Sequence, residues 1–375
     1  MEMVNTHSYT AMQFHLILPE GITLDMDYPF DMNSDRFPGV TKRGVFYPNH
    51  DYDITNPSPG DYFIKIYNTA LETIDGTEGE LLCFYYNVAS DIKDGYYQIL
   101  VSGAILGIDS HNGIYPETSV SYVKVGEPSK NALLDLGSYE IPSFVAEYIP
   151  ETNVVINGEC SNLVLSDGYD FNCTNSFVAT DATYSRFLSS SWGTLCLPFA
   201  LESDATIQYY KLVSVSSESM TFEPVSSVDA GEPVVFKNVD TDELVINASN
   251  VTVSNGNKEK SLEALGWTMK GTYDAFINDP AACENDIYYI AEDKFWYANM
   301  AFAVAAFRGW FETAKNAAGA QRYSIVETEG LTNGVEYVEQ EDGSVKVIFD
   351  LQGRRMDDAQ KGNVNIVNGK TVIVK

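Results

Sequence analysis

The amino-acid sequence predicts an all-β protein: a β-sandwich, then a second β-rich module, then a short C-terminal β tail. Short runs of β-branched and aromatic residues recur along the chain, and Gly, Asn, Asp and Pro separate them. Strands at a spacing of roughly 8–12 residues with turn residues between them are typical of sandwich folds. The chain has 375 residues, of which 45% are hydrophobic and 13% aromatic, so it can bury a sizeable core.

The first unit, residues 1–127, has five segments with strand character: 11–18, 61–67, 79–86, 95–101 and 119–125. Residues from Val4 onward also have strand character. Residues 128–150 lack alternation and contain Pro128, Pro142 and Pro150, so we predict a linker there, with one helical turn at 133–136.

The second module, residues 151–330, has ten predicted strands: 162–165, 183–187, 193–198, 207–214, 220–224, 233–237, 243–246, 268–273, 287–291 and 295–298. In 301–312 the alanines favour a helix, whereas Phe307, Trp310 and Phe311 favour a strand. We predict a strand there because the neighbouring segments are strands. Residues 261–265 are the one candidate for a short helix.

The C-terminal unit, residues 331–375, is predicted as a small β tail. Residues 345–349 form one strand, and 365–367 and 371–374 form a hairpin across Asn368 and Gly369. An Asn-Gly pair between two apolar runs is the strongest short-range hairpin signal.

The formal net charge is −30, from 23 Lys+Arg and 53 Asp+Glu. Residues 1–127 hold 6 basic and 18 acidic side chains, residues 128–330 hold 11 and 28, and residues 331–375 hold 6 and 7. This balance excludes nucleic acid, which needs basic side chains at its phosphates, and disfavours anionic membranes. We attribute the charge to a solvated surface, with cation binding or a basic partner as the alternatives.

The tail carries a specific pattern, formed by residues 349–355, by Lys361 and Gly362, and by residues 367–370. It resembles the C-terminal segment of many exported Bacteroidetes proteins, the sorting domain of the type IX secretion route or its short relatives in gut species. Asn365 departs from the pattern, which usually has an aromatic residue there. The resemblance implies a location outside the cell or on the outer-membrane surface. Residues 1–6 lack the basic and apolar regions of a signal peptide.

The first unit resembles the cohesin-like, immunoglobulin-like sandwich of the same class of surface proteins. The residues that carry this resemblance are 12–14, 18–21, 35–36, His50, 65–67 and 79–82. The middle unit is similar to a recurrent module of Bacteroides surface proteins, through residues 163–165, 184–186, 192–199 and 230–233. Such proteins are described as adhesins or surface proteins, so the resemblance implies architecture and location more than chemistry.

The sequence contains no motif for catalysis. The four histidines, His7, His15, His50 and His111, all lie in the first unit, and no G-x-S-x-G motif is present. His15 lies within a predicted strand, which favours a structural role. Glycoside hydrolysis needs two carboxylates about 5–9.5 Å apart, but among 53 acidic residues such pairs are inevitable and carry no information.

Calcium is the strongest metal candidate. Asp31, Asn33 and Asp35 place oxygen donors at alternate positions, as at the start of a calcium loop. Arg36 then stands where the loop needs Gly, and Lys42 replaces the terminal Glu. A polar turn is therefore the favoured interpretation, with an irregular calcium site that also uses Asp25 and Asp27 left open.

The cysteines, Cys83, Cys160, Cys173, Cys196 and Cys283, are odd in number and form no CxxC pair. Four of them lie in apolar or aromatic runs, so we predict buried free thiols. A disulfide between Cys160 and Cys173 is the alternative. Zinc is disfavoured because the histidines are scattered.

Adjacent aromatic residues suggest a glycan platform, because sugars stack on flat aromatic faces. The candidates are Tyr96-Tyr97, Tyr209-Tyr210, Tyr288-Tyr289 and Trp296-Tyr297. Neighbours in a strand point to opposite faces, so we expect one residue of each pair in the core and one outward. Packing across strands is the competing explanation for the outward residue.

Together these observations predict a non-enzymatic, exported surface protein of the adhesin or scaffold type. The expected partner is a surface protein or a glycan, with no nucleic acid, no membrane insertion, and no cofactor, metal or catalytic residue assigned. The alternative is a carbohydrate-binding protein of a glycan-utilisation system.

Overall fold

The computed structural model describes residues 1–33, 35–37, 50–238, 242–316 and 320–328, together with five short strands within 336–374. Apart from one four-residue α-helix and one three-residue 3₁₀ helix, the regular elements of these residues are strands. The predicted all-β class is confirmed.

The first unit contains ten strands: β1 (Ala11–Ile17), β2 (Ile22–Leu24), β3 (Phe30–Met32), β4 (Asp51–Ser58), β5 (Asp61–Tyr67), β6 (Leu82–Phe84), β7 (Tyr86–Val88), β8 (Gly95–Gly107), β9 (Gly113–Ile114) and β10 (Ser119–Val125). A six-stranded sheet has the order β10-β8-β1-β5-β4, with β9 beside β8. The pairs β2-β7 and β3-β6 form two short antiparallel ribbons.

The sheet and the two ribbons enclose one hydrophobic core. Alternation along β1 places Met12, Phe14 and Leu16 on one face, where each is at most 4% exposed. The ribbons add Ile22, Leu24, Phe30 and Met32 to the same buried cluster. The unit is therefore a two-layered β-sandwich, as predicted.

Two predictions for this unit need correction. Residues 79–86 form two short strands rather than one, because the chain changes partner from β3 to β2 around Tyr85, whose N–H donates to Pro29 O at 3.1 Å. Residues after Val4 are not a strand, and Val4 itself is 77% exposed. The predicted strands 61–67 and 119–125 match β5 and β10.

The segment 128–158 holds β11 (Leu134–Asp135), α1 (Ser143–Ala146) and β12 (Val154–Val155). The helical turn predicted at 133–136 is wrong, because β11 pairs in parallel with β12. Leu134 and Leu136 alternate inward and are buried in one cluster with Val120 of β10. Burial of this apolar pair outweighs the local preference for a turn.

The second module contains β13 (Glu159–Ser166), β14 (Phe177–Phe187), β15 (Trp192–Leu195), β16 (Leu201–Glu202), β17 (Ile207–Val215), β18 (Ser219–Val225), β19 (Ser227–Val228), β20 (Val234–Asn238), β21 (Glu243–Val253), β22 (Glu259–Leu262), the 3₁₀ helix Glu263–Leu265, β23 (Trp267–Gly271), β24 (Phe276–Asn278), β25 (Asn285–Ala291), β26 (Lys294–Tyr297), β27 (Phe302–Val304), β28 (Gly309–Ala314) and β29 (Arg322–Glu327). A three-stranded sheet has the order β13-β14-β21. A ten-stranded sheet has the order β15-β20-β17-β18-β29-β26-β25-β28-β23-β22. The pairs β16-β19 and β24-β27 are short ribbons.

The ten-stranded sheet curls, and both of its faces are buried around β15, β20 and β17. Tyr209 of β17 belongs to the cluster shared with the three-stranded sheet, together with Tyr184 of β14. Tyr210, the next residue, belongs to a separate cluster with Trp192 and Phe222 on the other face. One layer of strands therefore separates these two hydrophobic cores, and a smaller third cluster contains Ile287, Ala298, Val304 and Trp310.

Each of the ten strands predicted for this module overlaps an observed strand. The strand prediction for 301–312 is also confirmed, since β27 and β28 occupy most of this segment. The possible helix at 261–265 is reduced to the single 3₁₀ turn after β22.

The tail contains β30 (Glu336–Val338), β31 (Ile348–Phe349), β32 (Arg355–Met356), β33 (Val364–Val367) and β34 (Lys370–Val374), in the sheet order β30-β34-β33-β31-β32. Val367 pairs with Lys370 across a two-residue connection, so the predicted hairpin is confirmed. The first three residues of the strand predicted at 345–349 lie outside the described residues.

Within the described residues, no helix has the length and apolar character needed to cross a membrane. The domain boundaries at 127, 150 and 330 stay predictions.

Candidate binding site

Two of the four histidines, His15 and His50, make packing or polar contacts within the first unit. His15 Nδ1 lies 2.7 Å from Asp61 Oδ1 on the neighbouring strand. His50 is 3% exposed and packs edge-on against Phe37, and burial lowers its pKa. His7 and His111 are exposed.

The oxygen donors at 31, 33 and 35 serve local contacts. Asp31 Oδ2 accepts a hydrogen bond of 2.6 Å from the Tyr85 hydroxyl, and Asn33 Oδ1 accepts one of 2.9 Å from the N–H of Asp35. The second contact is the polar turn favoured by the sequence. In the part of the chain that the structure describes, no group of three or more His, Cys, Asp or Glu side chains is arranged to hold a metal ion.

The five cysteines are free thiols. Cys160, Cys173 and Cys196 are buried, as predicted, and the disulfide considered between Cys160 and Cys173 is not formed. Cys83 is exposed, against the prediction, because alternation on β6 turns Leu82 into the core and Cys83 outward.

The aromatic pairs only partly follow the expected alternation. Tyr209 and Tyr210 are both buried because their strand is covered on both faces. Tyr288 is buried, while its neighbour Tyr289 is half-buried and stacks on Phe302 with the ring centroids 4.8 Å apart. The remaining four, Tyr96, Tyr97, Trp296 and Tyr297, are half-buried.

Sheet edges are the surfaces through which a β protein can bind another chain. The orders of the three main sheets of residues 1–328 end in six strands: β10, β4, β13, β21, β15 and β22; the two-residue β9 is a further, very short edge beside β8. Charged or proline residues protect two of them. β4 carries Asp51, Asp53 and Pro57, and β22 carries the exposed Glu259 and Lys260.

Two further edges, those of β13 and β15, are covered by other parts of the chain, and the edge of β10 is covered at its start. On the outer edge of β13, the side-chain amide of Asn153 pairs with the backbone of Val164 as a neighbouring strand would. Asn153 Oδ1 accepts from Val164 N at 2.7 Å, and Asn153 Nδ2 donates to Val164 O at 3.0 Å. On β10, Val120 N donates to Glu140 O at 3.1 Å. β15 is covered by β28, through the contacts of Thr194.

The edge of β21 is the exception. This strand has eleven residues and pairs with β14 on one side. On its other side the Glu243 carbonyl accepts from Asn238 Nδ2 at 3.2 Å, and beyond Glu243 no described strand pairs with it. Its Leu244 and Ile246 are buried in the core, which fixes the strand in place. Alternate N–H and C=O groups of an edge strand point away from its neighbour, and these are the groups that a further strand would bind.

A cleft of about 1130 Å³ lies where the first unit meets the second module. Its lining includes the rings of Tyr97 and Tyr139 and the side chains of Asn172, Asn175 and Lys258. Tyr139 is 39% exposed, so its ring is accessible to a ligand. The cleft thus combines aromatic rings with amide side chains.

No protein-family model matches the chain, and no curated protein matches it. Among solved structures, the chain is similar to a cohesin module of a family 33 glycoside hydrolase from Clostridium perfringens. The two share 13% sequence identity with a TM-score of 0.25, and the match covers 32% of this chain and 76% of the module.

Proposed function

We propose that the protein is a non-enzymatic binding protein of the adhesin or scaffold type. It binds an extended segment of a partner polypeptide, which pairs as a further strand with the outer edge of β21. The observation that carries this proposal is the long stretch of β21 beyond Glu243, along which no described strand pairs with the outer edge and no charged or proline residue interrupts it. Strand addition derives affinity from main-chain hydrogen bonds and specificity from alternate side chains.

The side chains of β21 fit this mode of binding. Leu244 and Ile246 hold the strand against the core, while Val245 and Asn247 are exposed on the opposite face, next to the incoming strand. Of the eleven residues only Glu243 is charged, so no charge blocks pairing along the rest of the strand. The net charge of −30 favours a neutral or basic partner segment.

We place this binding protein outside the cell, on the outer-membrane surface or in the medium. The resemblance of the tail to export segments supports this location. The acidity is concentrated in residues 1–330, with 46 acidic against 17 basic side chains, which suits modules that face the medium.

The proposal is tested by blocking the edge. Lysine on an edge strand is a natural deterrent to strand pairing, so Val245→Lys should weaken binding to an array of extended peptides and host surface proteins. We expect at least about a tenfold loss, since several backbone hydrogen bonds worth about 1 kcal/mol each are at stake. The matched control is Val178→Lys on β14, because Val178 is 42% exposed but lies on the central strand.

An equal loss of binding affinity in Val245→Lys and Val178→Lys would show that the added positive charge, and not the blocked edge, weakens binding. Unchanged binding in Val245→Lys would reject strand addition at β21. Circular dichroism and thermal melting of both variants confirm that each remains folded.

Carbohydrate binding in the cleft is the second candidate function, favoured by the accessible ring of Tyr139 beside Asn175. On a glycan array, Tyr139→Ala should abolish binding. The control is Tyr148→Ala, which removes a ring that is 74% exposed and does not line the cleft. Equal loss in both variants, or no glycan binding by the wild-type chain, would reject this function.

A further inference from the structure

Arg186 is an incompletely satisfied cation in the protein interior. It lies on the inward face of β14, is 6% exposed, and its guanidinium stacks over the ring of Phe236 at 5.0 Å. Nη2 donates to Thr194 O at 3.0 Å, whereas Nη1 is buried without a hydrogen-bond partner. Buried polar groups are nearly always paired, so an orphaned guanidinium nitrogen in a native core calls for an explanation.

A second guanidinium, that of Arg308, lies close to it, and among the described residues Asp167 is the carboxylate that acts on both. Arg308 Nη2 donates to Asp167 Oδ2 at 3.0 Å, and Arg308 Nη1 donates to the Tyr184 hydroxyl at 3.0 Å. Burial and then the charge of Arg308 lower the pKa of Arg186 to about 10, so Arg186 is still protonated at neutral pH. In the part of the chain that the structure describes, one negative charge, that of Asp167, therefore faces two guanidinium groups, which leaves one positive charge in excess.

Both arginines line one pocket of about 390 Å³. Its walls include the aromatic residues Trp192, Tyr289 and Phe302, and Phe187 stands at its rim with 84% of its surface exposed. A pocket with arginines at its base, aromatic walls and an opening to solvent is suited to a ligand that carries a negative charge.

We propose that this pocket binds a single carboxylate group carried on a compact ligand with an apolar face. A carboxylate accepts two parallel hydrogen bonds from a guanidinium, which would satisfy Nη1 of Arg186 and neutralise the excess positive charge. A monoanion fits better than a phosphate dianion, because one positive charge is available and Glu292 also lines the pocket. The aromatic walls accommodate the body of the ligand, such as the ring of a sugar acid.

The site is independent of strand addition at β21, so either proposal can fail without the other. The carboxylate could belong to an acidic sugar or to an amino acid. We would titrate the full chain with D-glucuronate, with N-acetyl-aspartate amide, with neutral D-glucose and with inorganic phosphate, and follow binding by calorimetry and thermal shift. Binding of D-glucuronate would identify an acidic sugar as the source of the carboxylate, and binding of N-acetyl-aspartate amide would identify an amino acid. We expect glucose and phosphate to bind at least about tenfold more weakly than the carboxylate that binds.

Two variants test the geometry. Arg186→Met removes the guanidinium and should lower carboxylate affinity about 10- to 100-fold, by the range expected for a charge-assisted hydrogen bond. Ala303→Glu is exposed on β27 and lines the pocket, so its negative charge should also weaken binding even if the first variant fails to fold. Its control is Ile277→Glu, because Ile277 pairs with Ala303 on the same ribbon and lies outside the pocket.

The proposal is overturned if neither carboxylate binds, if phosphate binds more tightly than both, or if affinity is unchanged in a folded Arg186→Met or in Ala303→Glu. It is also overturned if Ile277→Glu weakens binding as much as Ala303→Glu. A carboxylate-specific rise in melting temperature that both pocket variants lose supports it.

Discussion

Thr194 and Gly309 exchange two hydrogen bonds that connect the first strand of the ten-stranded sheet to β28. The Thr194 hydroxyl donates to Gly309 O at 2.7 Å and accepts from Gly309 N at 3.0 Å. In sheet order six strands separate β15 from β28. A side chain therefore performs the pairing that holds the curled sheet together, and it protects the edge of β15 at the same time.

We expect Thr194→Val to destabilise the protein by about 2–4 kcal/mol, because both polar groups of Gly309 would be buried without a partner. Val replaces the hydroxyl with a methyl group of similar size, so the cavity contribution is small. Urea unfolding followed by tryptophan fluorescence gives the free energy of unfolding. Thr180→Val, at an exposed position of β14, is the control and should change stability by less than about 0.5 kcal/mol.

Gly193, next to Thr194, has no room for a side chain. A Cβ there would lie 2.6 Å from the Phe236 ring and 2.8 Å from Arg186 Nη2. Gly193→Ala should therefore cost about 1–3 kcal/mol through overpacking, seen as a lower melting temperature. Gly95→Ala is the matched control, because its Cβ would have an ordinary contact of 3.5 Å with Tyr97. Equal melting temperatures for the two variants would contradict the tight packing of Arg186 on Phe236.

Local patterns were sufficient to predict most strands, but not the way in which the sheets assemble. β18 pairs in parallel with β29, with Ser219 opposite Ser324. More than ninety residues separate these partners in the sequence, and no local pattern specifies which distant strand will be a neighbour. The burial of both Tyr209 and Tyr210 follows from the same assembly, because only a sheet covered on both faces buries adjacent residues.

The pocket at Arg186 and the edge of β21 differ in whether the sequence alone could have indicated them. Ala182, Tyr184 and Arg186 alternate on the inward face of β14. A charged residue in that phase indicates a buried cation, so Arg186 could have been found from the alternation of β14 alone. The exposed edge of β21 has no such signal, because a strand becomes an edge only through the placement of the other strands.

Asp167 makes stability depend on pH. Burial alone would raise the pKa of this carboxyl, but the hydrogen bonds and charge of Arg308 outweigh burial and hold the pKa below its usual range. A carboxyl with a lowered folded-state pKa adds stability above its unfolded value, about 3.9, and this contribution is lost as the pH falls through the folded-state pKa. Asp167→Asn should therefore cost about 1–3 kcal/mol at pH 7, and progressively less below about pH 4.

Urea unfolding of both proteins at a series of pH values measures this difference. The control is the same substitution in an Arg308→Met background, where the pH dependence of the difference should be much smaller because the main partner is gone. A cost that stays constant down to the lowest pH at which the chain folds would contradict the coupling between Asp167 and Arg308.

The thiols should react in an order set by burial. Burial raises the pKa of Cys173 to about 11 and that of Cys196 to about 12. Because the thiolate is the reactive form, a thiol reagent should label Cys83 first in the native protein, Cys283 more slowly, and the three buried cysteines only on unfolding.

Mass spectrometry of labelled peptides over time identifies each site, and Cys83→Ser should remove the fast phase while Cys160→Ser leaves it unchanged. Cys196 packs between the two sheets, where its thiol donates to Gly231 O at 3.3 Å. Labelling of Cys196 at the rate of Cys83 under native conditions would mean that the module opens between its sheets. That opening would also expose Arg186, which is buried in the same interior.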